Sequence, residues 1–246
     1  MNNPEIKKKK KTWKKVLLTG VCLLIALLCV VAVWRWNDIK AIYYFGVVGS
    51  SEKIAEEIDA RKKAREEAIS EYIDGTVRDF TEEEERKITS GELSVEEATE
   101  IIRNEFTESV NGNSANSEEN KKKDPIDSEK KEIDEFIAEK IIQLYSYKAY
   151  YLGQLGQIEK SAKKDYLALS PKDRNLVSKQ SIVDKYIGVA NALLIECDAK
   201  VHATLKNLEK KLLEKNMDTA IITKINSSYE EEKALKKAYY MSLLKE

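Results

Sequence analysis

The chain has 246 residues, of which 42 are Lys or Arg, 43 are Asp or Glu and one is His. Only 9 Gly and 3 Pro are present. This disfavours β-sandwiches and barrels, which need many tight turns, and Rossmann folds, which need glycine loops. Three Cys exclude a disulfide scaffold, and a single His leaves little for a His-based metal or catalytic site. The composition therefore predicts an all-α protein.

One segment stands apart from this polar chain. Val16 to Trp34 comprises 19 residues without a charge, and twelve of them are Val, Leu or Ile. As a helix that rises about 1.5 Å per residue, it spans about 28 Å, close to a hydrocarbon core of ~30 Å. Trp13 stands before the run, and Trp34 and Trp36 stand at its other end, where indole rings favour the headgroup level. The segment 16–34 is therefore predicted to be a transmembrane helix.

The flanking charges predict the direction of this helix. Seven lysines precede it, the last two being Lys14 and Lys15, whereas only Arg35 and Lys40 follow within fifteen residues. The lysine-rich side of a span stays in the cytoplasm. We therefore expect residues 1–15 to form a basic cytoplasmic stub and the rest of the chain to lie outside the cell membrane.

A cleaved signal peptide is the alternative interpretation. Val30-Val31-Ala32 offers small residues at which a signal peptidase could cut, and cleavage would give a secreted helical protein. The apolar core of a signal peptide is about 7–15 residues long, whereas this run has 19. We therefore expect an uncleaved signal anchor.

Residues 35–108 are predicted to form a juxtamembrane stretch and a small acidic helical module. Apolar residues at three- and four-residue steps predict a helix over 51–80, and Asp74-Gly75 is a point at which this helix can be interrupted. Residues 51–108 carry 19 acidic and 9 basic groups. We expect the acidic run Glu82 to Glu85 to be a solvated first turn that the helix dipole favours.

Two capping boxes mark helix starts in this module. Thr81 precedes Glu84 by three residues, and Ser94 precedes Glu97 by three. In a capping box the hydroxyl accepts a hydrogen bond from a backbone N–H and the glutamate reaches back to the N-cap N–H. Two short helices are therefore predicted, over 82–90 and 95–108.

Residues 109–128 carry Asn, Ser, Gly and charge but almost no apolar residue. Burial cannot offset the entropy of ordering such a segment. We predict a flexible linker between two extracytoplasmic modules.

Residues 129–246 are predicted to form the main folded unit. Apolar residues recur three and four apart, with Lys148 as the one break in the first stripe. Ser170 and Pro171 fit the N-cap and first position of a second helix, and Asn216 and Asp218 fit the end of that helix and the cap of a third. The helices are expected over roughly 129–169, 172–215 and 219–245. Because short connections make neighbours antiparallel, we predict an elongated antiparallel three-helix, coiled-coil-like bundle.

No pattern for catalysis or metal binding is found. Cys197 and His202 are five residues apart on one predicted helix, so their side chains point about 140° apart and cannot share a proton. Cys197 lies on the apolar stripe, and His202 is expected at the surface. We therefore predict no catalytic residue, no metal, no cofactor and no nucleic-acid partner.

The most unusual local feature is a group of tyrosines on the first long helix: Tyr145, Tyr147, Tyr150 and Tyr151. They cover more than one helix face, so they cannot all point into one seam. Exposed aromatic residues often mark a partner surface or a glycan surface. Alternatively, the third helix and the proximal module cover them. Gly153 and Gly156 in the same helix indicate a close helix contact, a kink or a break.

The end of the chain resembles that of other proteins. The segment from Tyr166-Leu167-Ala168-Leu169 through Cys197-Asp198 to Glu232-Lys233-Ala234-Leu235-Lys236-Lys237-Ala238-Tyr239-Tyr240 is similar to the end of uncharacterised, membrane-anchored helical proteins of low-GC Gram-positive bacteria. The resemblance covers about the last third of the chain. It implies a bacterial cell-envelope setting and no activity, ligand or site residue.

These features predict a non-enzymatic, single-pass envelope protein. Its helical part would lie outside the cell membrane and act as a scaffold or adaptor that binds a protein partner or a second copy. A cell-wall glycan-binding protein that uses the tyrosines is the alternative.

Overall fold

The computed structural model describes residues 51–114 and 125–243, and in this part of the chain the fold is all-α, with six helices and no strand. This confirms the predicted fold class. The helices are α1 (Ser51–Ser70), α2 (Glu82–Ser90), α3 (Val95–Ser114), α4 (Pro125–Ala168), α5 (Leu176–Glu214) and α6 (Ala220–Leu243).

The predicted membrane anchor lies outside the described residues. This holds for the span 16–34 and for the flanking residues Trp13, Lys14, Lys15, Trp34 and Trp36. Within 51–114 and 125–243, none of the helices combines the length and the apolar character that crossing a bilayer requires.

Both predicted capping boxes are present. The Thr81 hydroxyl accepts from the Glu84 N–H at 3.2 Å, and the Glu84 carboxylate accepts from the Thr81 N–H at 2.8 Å. Ser94 and Glu97 form the same pair of bonds, at 3.2 and 3.0 Å. The first helix is shorter than predicted, since α1 ends at Ser70 and residues 71–81 form an irregular segment.

Arg78 fixes this irregular segment to two helices. Its guanidinium donates two bonds to the Glu84 carboxylate of α2, at 2.7 and 2.9 Å, and two to the Glu105 carboxylate of α3, at 2.5 and 2.7 Å. Paired bonds of this kind fix geometry as well as charge. The hydrogen bonds with Glu84 and Glu105 raise the pKa of Arg78 further above its ordinary value.

Helices α4 and α5 form the predicted antiparallel hairpin. Lys185 of α5 pairs with Asp165 of α4 at 2.7 Å near the connection. At the other end of the hairpin, Lys211 lies 3.8 Å from Glu132, and Lys215, just after α5, lies 2.6 Å from Glu129. Residue numbers rise on one helix as they fall on the other, which defines the antiparallel register.

The connection within the hairpin differs from the prediction. Helix α5 begins at Leu176 with Asn175 as its N-cap, and the Asn175 side chain accepts from the Ser178 N–H at 3.1 Å. Ser170 instead bonds to Asp173 through its hydroxyl, at 2.6 Å. An Asn has the same capping chemistry as Ser, so the sequence contained two suitable caps and the later one is used.

The next connection agrees with the prediction. Asn216 has a φ of 53°, the left-handed conformation in which Asn often ends a helix. Asp218 accepts from the Ala220 N–H at 3.0 Å, at the start of α6.

The predicted separation into modules 35–108 and 129–246 differs from the structure. Helices α2 and α3 both pack on α4, and the Arg103 guanidinium of α3 donates to the Glu139 carboxylate of α4 at 2.6 and 3.2 Å. Helix α3 continues to Ser114 and α4 begins at Pro125, so helical backbone enters the predicted linker 109–128 from both sides. Apolar patterning alone did not show that these helices share a core.

Contacts divide the chain into two units, and this division also differs from the predicted bundle. Among the described residues, those from Lys62 to Asn226 form one unit, and those of 51–61 and 227–243 form the other. In the smaller unit, Ile54 and Ile58 of α1 form a buried cluster with Leu235 and Ala238 of α6. Most of the third helix of the predicted bundle therefore belongs with the start of α1 rather than with the hairpin.

Candidate functional site

A buried network of charges joins four segments of the larger unit. At its centre is Asp79, which is 2% exposed. Its carboxylate accepts from the Lys148 ammonium of α4 at 2.8 and 2.9 Å and from the Arg65 guanidinium of α1. Glu85 of α2 lies 2.8 Å from Lys148 and 2.9 Å from Lys62. The network balances the positive charges of Lys62, Arg65 and Lys148 with carboxylates.

Backbone groups extend the same network. The Asp79 N–H donates to the Glu66 carboxylate at 2.7 Å, and the Lys62 ammonium donates to the Phe80 carbonyl at 3.1 Å. Buried charges are stable only when they are paired and hydrogen-bonded. The network has a structural role: its carboxylates are paired with cations, and these ion pairs hold α1, the segment 71–81, α2 and α4 together.

This network corrects the prediction for the acidic run Glu82 to Glu85. The first two members are exposed, as expected, but Glu84 binds Arg78 and Glu85 enters the network. Burial alone would raise the pKa of Glu84, yet the hydrogen bonds from Arg78 and from Thr81 outweigh it and lower that pKa overall.

Tyr145 belongs to the core beside the network. It is buried, its ring meets the Phe80 ring edge to face at 6.0 Å, and the Arg65 guanidinium lies 5.9 Å from the ring centre. Burial raises the pKa of Tyr145, as does the negative charge of Asp79. Tyr145 is therefore covered by residues of the predicted proximal module, which is one of the two outcomes considered for the tyrosines.

The other three tyrosines surround a lysine of α5. The Lys200 ammonium lies 5.8 Å from the ring centre of Tyr147, 5.2 Å from that of Tyr150 and 5.6 Å from that of Tyr151. Cation–π attraction acts over such distances. The Glu196 carboxylate, 2.8 Å from the same ammonium, raises the pKa of Lys200. The chain's own lysine therefore occupies the site that the three rings form.

The tyrosines differ in exposure. Tyr151 is buried, Tyr147 is half-buried with its hydroxyl accepting from Gln143 at 2.8 Å, and Tyr150 is 37% exposed. Only Tyr147 and Tyr150 therefore offer ring surface to a partner. The glycan-binding interpretation stays a prediction that rests on these two residues.

Cys197 and His202 lie as predicted, with Cys197 buried and His202 exposed on the same helix. Within residues 51–114 and 125–243, no group of three or more His, Cys, Asp or Glu side chains is arranged to hold a metal ion.

The hairpin has two halves with different surroundings. We call residues 129–160 and 197–214 the inner half and residues 161–196 the outer half. In the inner half, buried apolar side chains of both helices line the seam, among them Ile137, Ile141, Val201, Leu205 and Leu208. Helix α2 reaches α4 here, because a Cβ at Gly156 would lie 1.9 Å from the Thr89 carbonyl oxygen. Gly156 therefore marks a close helix contact in an unbroken α4, whereas a Cβ at Gly153 would meet only an ordinary contact, at 3.9 Å from the Ile88 carbonyl oxygen.

The outer half lacks such a core. None of the residues 161–196 is buried, Leu176 aside, whose burial the structure does not describe. Five large apolar side chains of this half are exposed: Leu167, Val177, Ile187, Val189 and Ile195. Val177 is 79% and Ile195 71% exposed. Among the described residues of the hairpin, most of the exposed large apolar side chains therefore lie in the outer half, while Tyr150 and Leu213 are exposed in the inner half.

The sequence alone did not predict the charge network, although one residue in it indicated a buried ion pair. Lys148 interrupts an otherwise apolar stripe, and a lysine on a buried face needs a carboxylate partner. The partners Asp79 and Glu85 come from distant segments, so their identity required the fold.

Comparison with known proteins adds no relative: no protein-family model, no curated protein and no solved structure matches the chain.

Proposed function

We propose that the protein is a non-enzymatic, single-pass envelope protein whose helical part lies outside the cell membrane and binds a protein partner. The outer half of the hairpin is the binding element. The sequence supports the anchor through the uncharged run of residues 16–34 and its lysine-rich flank.

The exposed apolar side chains of the outer half carry the proposal. Exposed apolar surface often serves interaction, and five large apolar side chains between Leu167 and Ile195 are exposed. The inner half shows the contrast, since its seam is buried and the largely buried Lys148 on its α4 side is paired with Asp79 and Glu85.

The exposed residues also indicate how a partner would bind. At about 100° per residue, Val189 lies about 160° and Ile195 about 80° from Ile187 around α5. A partner that contacts all three side chains must therefore surround the outer half of the hairpin, whereas a partner with a flat surface would contact one or two of them.

A pair of matched variants tests this proposal. The full-length protein is extracted in mild detergent, and the mass of its complex is measured by light scattering. The double substitution Val177→Ser and Ile195→Ser should reduce the complex to the single chain. Leu213→Ser, at a 60% exposed position of the inner half, should leave the complex intact. Equal effects of the two variants, or a wild-type protein that is already a single chain, would contradict the proposal.

Topology is tested separately. A cysteine at Lys172, in the exposed connection of the hairpin, should react with a membrane-impermeant maleimide in intact cells. The wild type is the control, because Cys197 is buried and the other two cysteines, Cys22 and Cys29, fall within the predicted span 16–34. Labelling that requires broken cells would place the hairpin on the cytoplasmic side.

A further inference from the structure

Different interactions hold the two halves of the hairpin closed. The inner half has a buried seam, and its α4 side carries Lys148 of the charge network. In the outer half, none of the apolar side chains whose burial is described is buried, and Asp165 of α4 bonds to α5 at the surface: its carboxylate accepts from the exposed Lys185 ammonium at 2.7 Å and from the half-buried Tyr186 hydroxyl at 2.9 Å. Ion pairs and hydrogen bonds exposed to water contribute little to stability. The two halves therefore differ in how much buried apolar surface stabilises them.

Gly188 weakens the outer half further. It lies within α5, and a Cβ added there would meet nothing within 4 Å. Unlike Gly156, it therefore has no packing reason to be glycine. A glycine inside a helix lowers helix propensity relative to alanine.

We propose that the outer half of the hairpin opens and recloses as a unit of its own while the inner half stays folded. Regions with few buried apolar contacts open locally at lower free energy than the core does. Burial ends at Gly156 on α4 and at Cys197 on α5, so the boundary falls between Gly156 and Ser161 on α4 and at Cys197 on α5. This local opening is a property of the unbound chain, so it does not depend on whether the outer half binds a partner.

Hydrogen exchange of the full-length protein in detergent micelles tests the proposal, with peptides resolved by mass spectrometry. In the wild type, amides of 161–196 should exchange faster than those of 197–214. The decisive variant is Leu208→Ala, in the inner seam, where the side chain is fully buried. It should accelerate exchange of the inner amides by about thirtyfold or more. It should leave the outer amides unchanged, because the inner half is folded in both states of the local opening.

Two further variants complete this test: one replaces Leu208→Ala if that variant does not fold, and the other acts on the outer half. Val201→Ala makes a smaller cavity in the same seam and serves if Leu208→Ala does not fold; it should accelerate only the inner amides. Gly188→Ala should slow the outer amides by about fourfold, the factor that matches the helix propensity of alanine over glycine. Equal acceleration of both halves by either inner variant, or no slowing by Gly188→Ala, would overturn the proposal.

Discussion

The inner and outer halves of the α4–α5 hairpin have the same apolar periodicity but different surroundings. In the inner half most of the periodic residues are buried, and α2 and α3 pack on α4. In the outer half the corresponding residues are half-buried or exposed, and Ile187 is an example at 48% exposed. The pattern in a helix therefore predicts which face turns to a neighbour, while burial depends on how many neighbours there are.

The comparison also separates two roles for charge. The inner half contains the largely buried ion pairs of Lys148 with Asp79 and Glu85 beside exposed ones, and the buried pairs restrict the fold because an unpaired partner would be costly. The outer half uses exposed ion pairs, which solvent screens. Removing one carboxylate from each half should reveal this difference.

The largest effect is expected from Asp79→Asn. The substitution keeps the shape of the side chain but removes the charge that holds Arg65 and Lys148. Arg65 and Lys148 each lose this ion pair in a largely buried setting, while Lys148 keeps Glu85, and the free energy of unfolding should fall by about 3–5 kcal/mol. Urea unfolding of the full-length protein in detergent, followed by circular dichroism, measures this fall.

Asp165→Asn is the matched control in the outer half. Its carboxylate pairs with Lys185 in an exposed position, so the loss should be clearly smaller. If the two substitutions lower the free energy of unfolding equally, the charge network does not hold the segments together as described, and the comparison of the two halves fails.

The glycines of α4 give the next effect. Gly156→Ala places a methyl group 1.9 Å from the Thr89 carbonyl oxygen, so α2 must move, and the stability should fall by about 1–3 kcal/mol. Gly153→Ala is the control, because its nearest neighbour is 3.9 Å away, an ordinary contact. It should be neutral or stabilise by up to about 1 kcal/mol. Thermal unfolding measures the stability of both variants. A destabilising Gly153→Ala or a neutral Gly156→Ala would contradict the packing described.

The sequence predicted part of this architecture. It predicted the all-α class, two capping boxes and the antiparallel hairpin, because these follow from local chemistry and apolar spacing. It did not predict that α2 and α3 share a core with α4, nor that most of α6 belongs to the other unit. Those features depend on contacts between distant segments, which a periodicity does not encode.

The candidate site was predictable to a similar extent. The tyrosines were recognised as unusual, but Lys200, which their rings surround, comes from the facing helix. Lys148 was recognised as a break in a stripe, but its partner Asp79 lies 69 residues away in the chain. The exposure of the outer half was not predicted, since its spacing resembles that of a buried seam.

The smallest effect concerns acid. The folded-state pKa of Glu84 lies below the ordinary value of 4.5, so its charge stabilises the fold above that value, and the stabilisation is lost as the pH falls through the folded-state pKa. Stability should be level from about pH 7 to pH 5.5 and decline below about pH 4.5. Glu84→Gln keeps the capping geometry and should make this decline shallower. A decline of unchanged slope in the variant would contradict the assignment to Glu84.

Site-specific photo-crosslinking in intact cells tests the central claim, that the outer half of the hairpin is the surface that meets a partner. A photoreactive residue is placed in turn at Val177, Ile195 and the inner-half control Leu213, which are all exposed. We expect a discrete crosslinked band from the first two positions and none from Leu213. Bands from Leu213 alone, or no band from any position in protein confirmed at the membrane, would contradict the account.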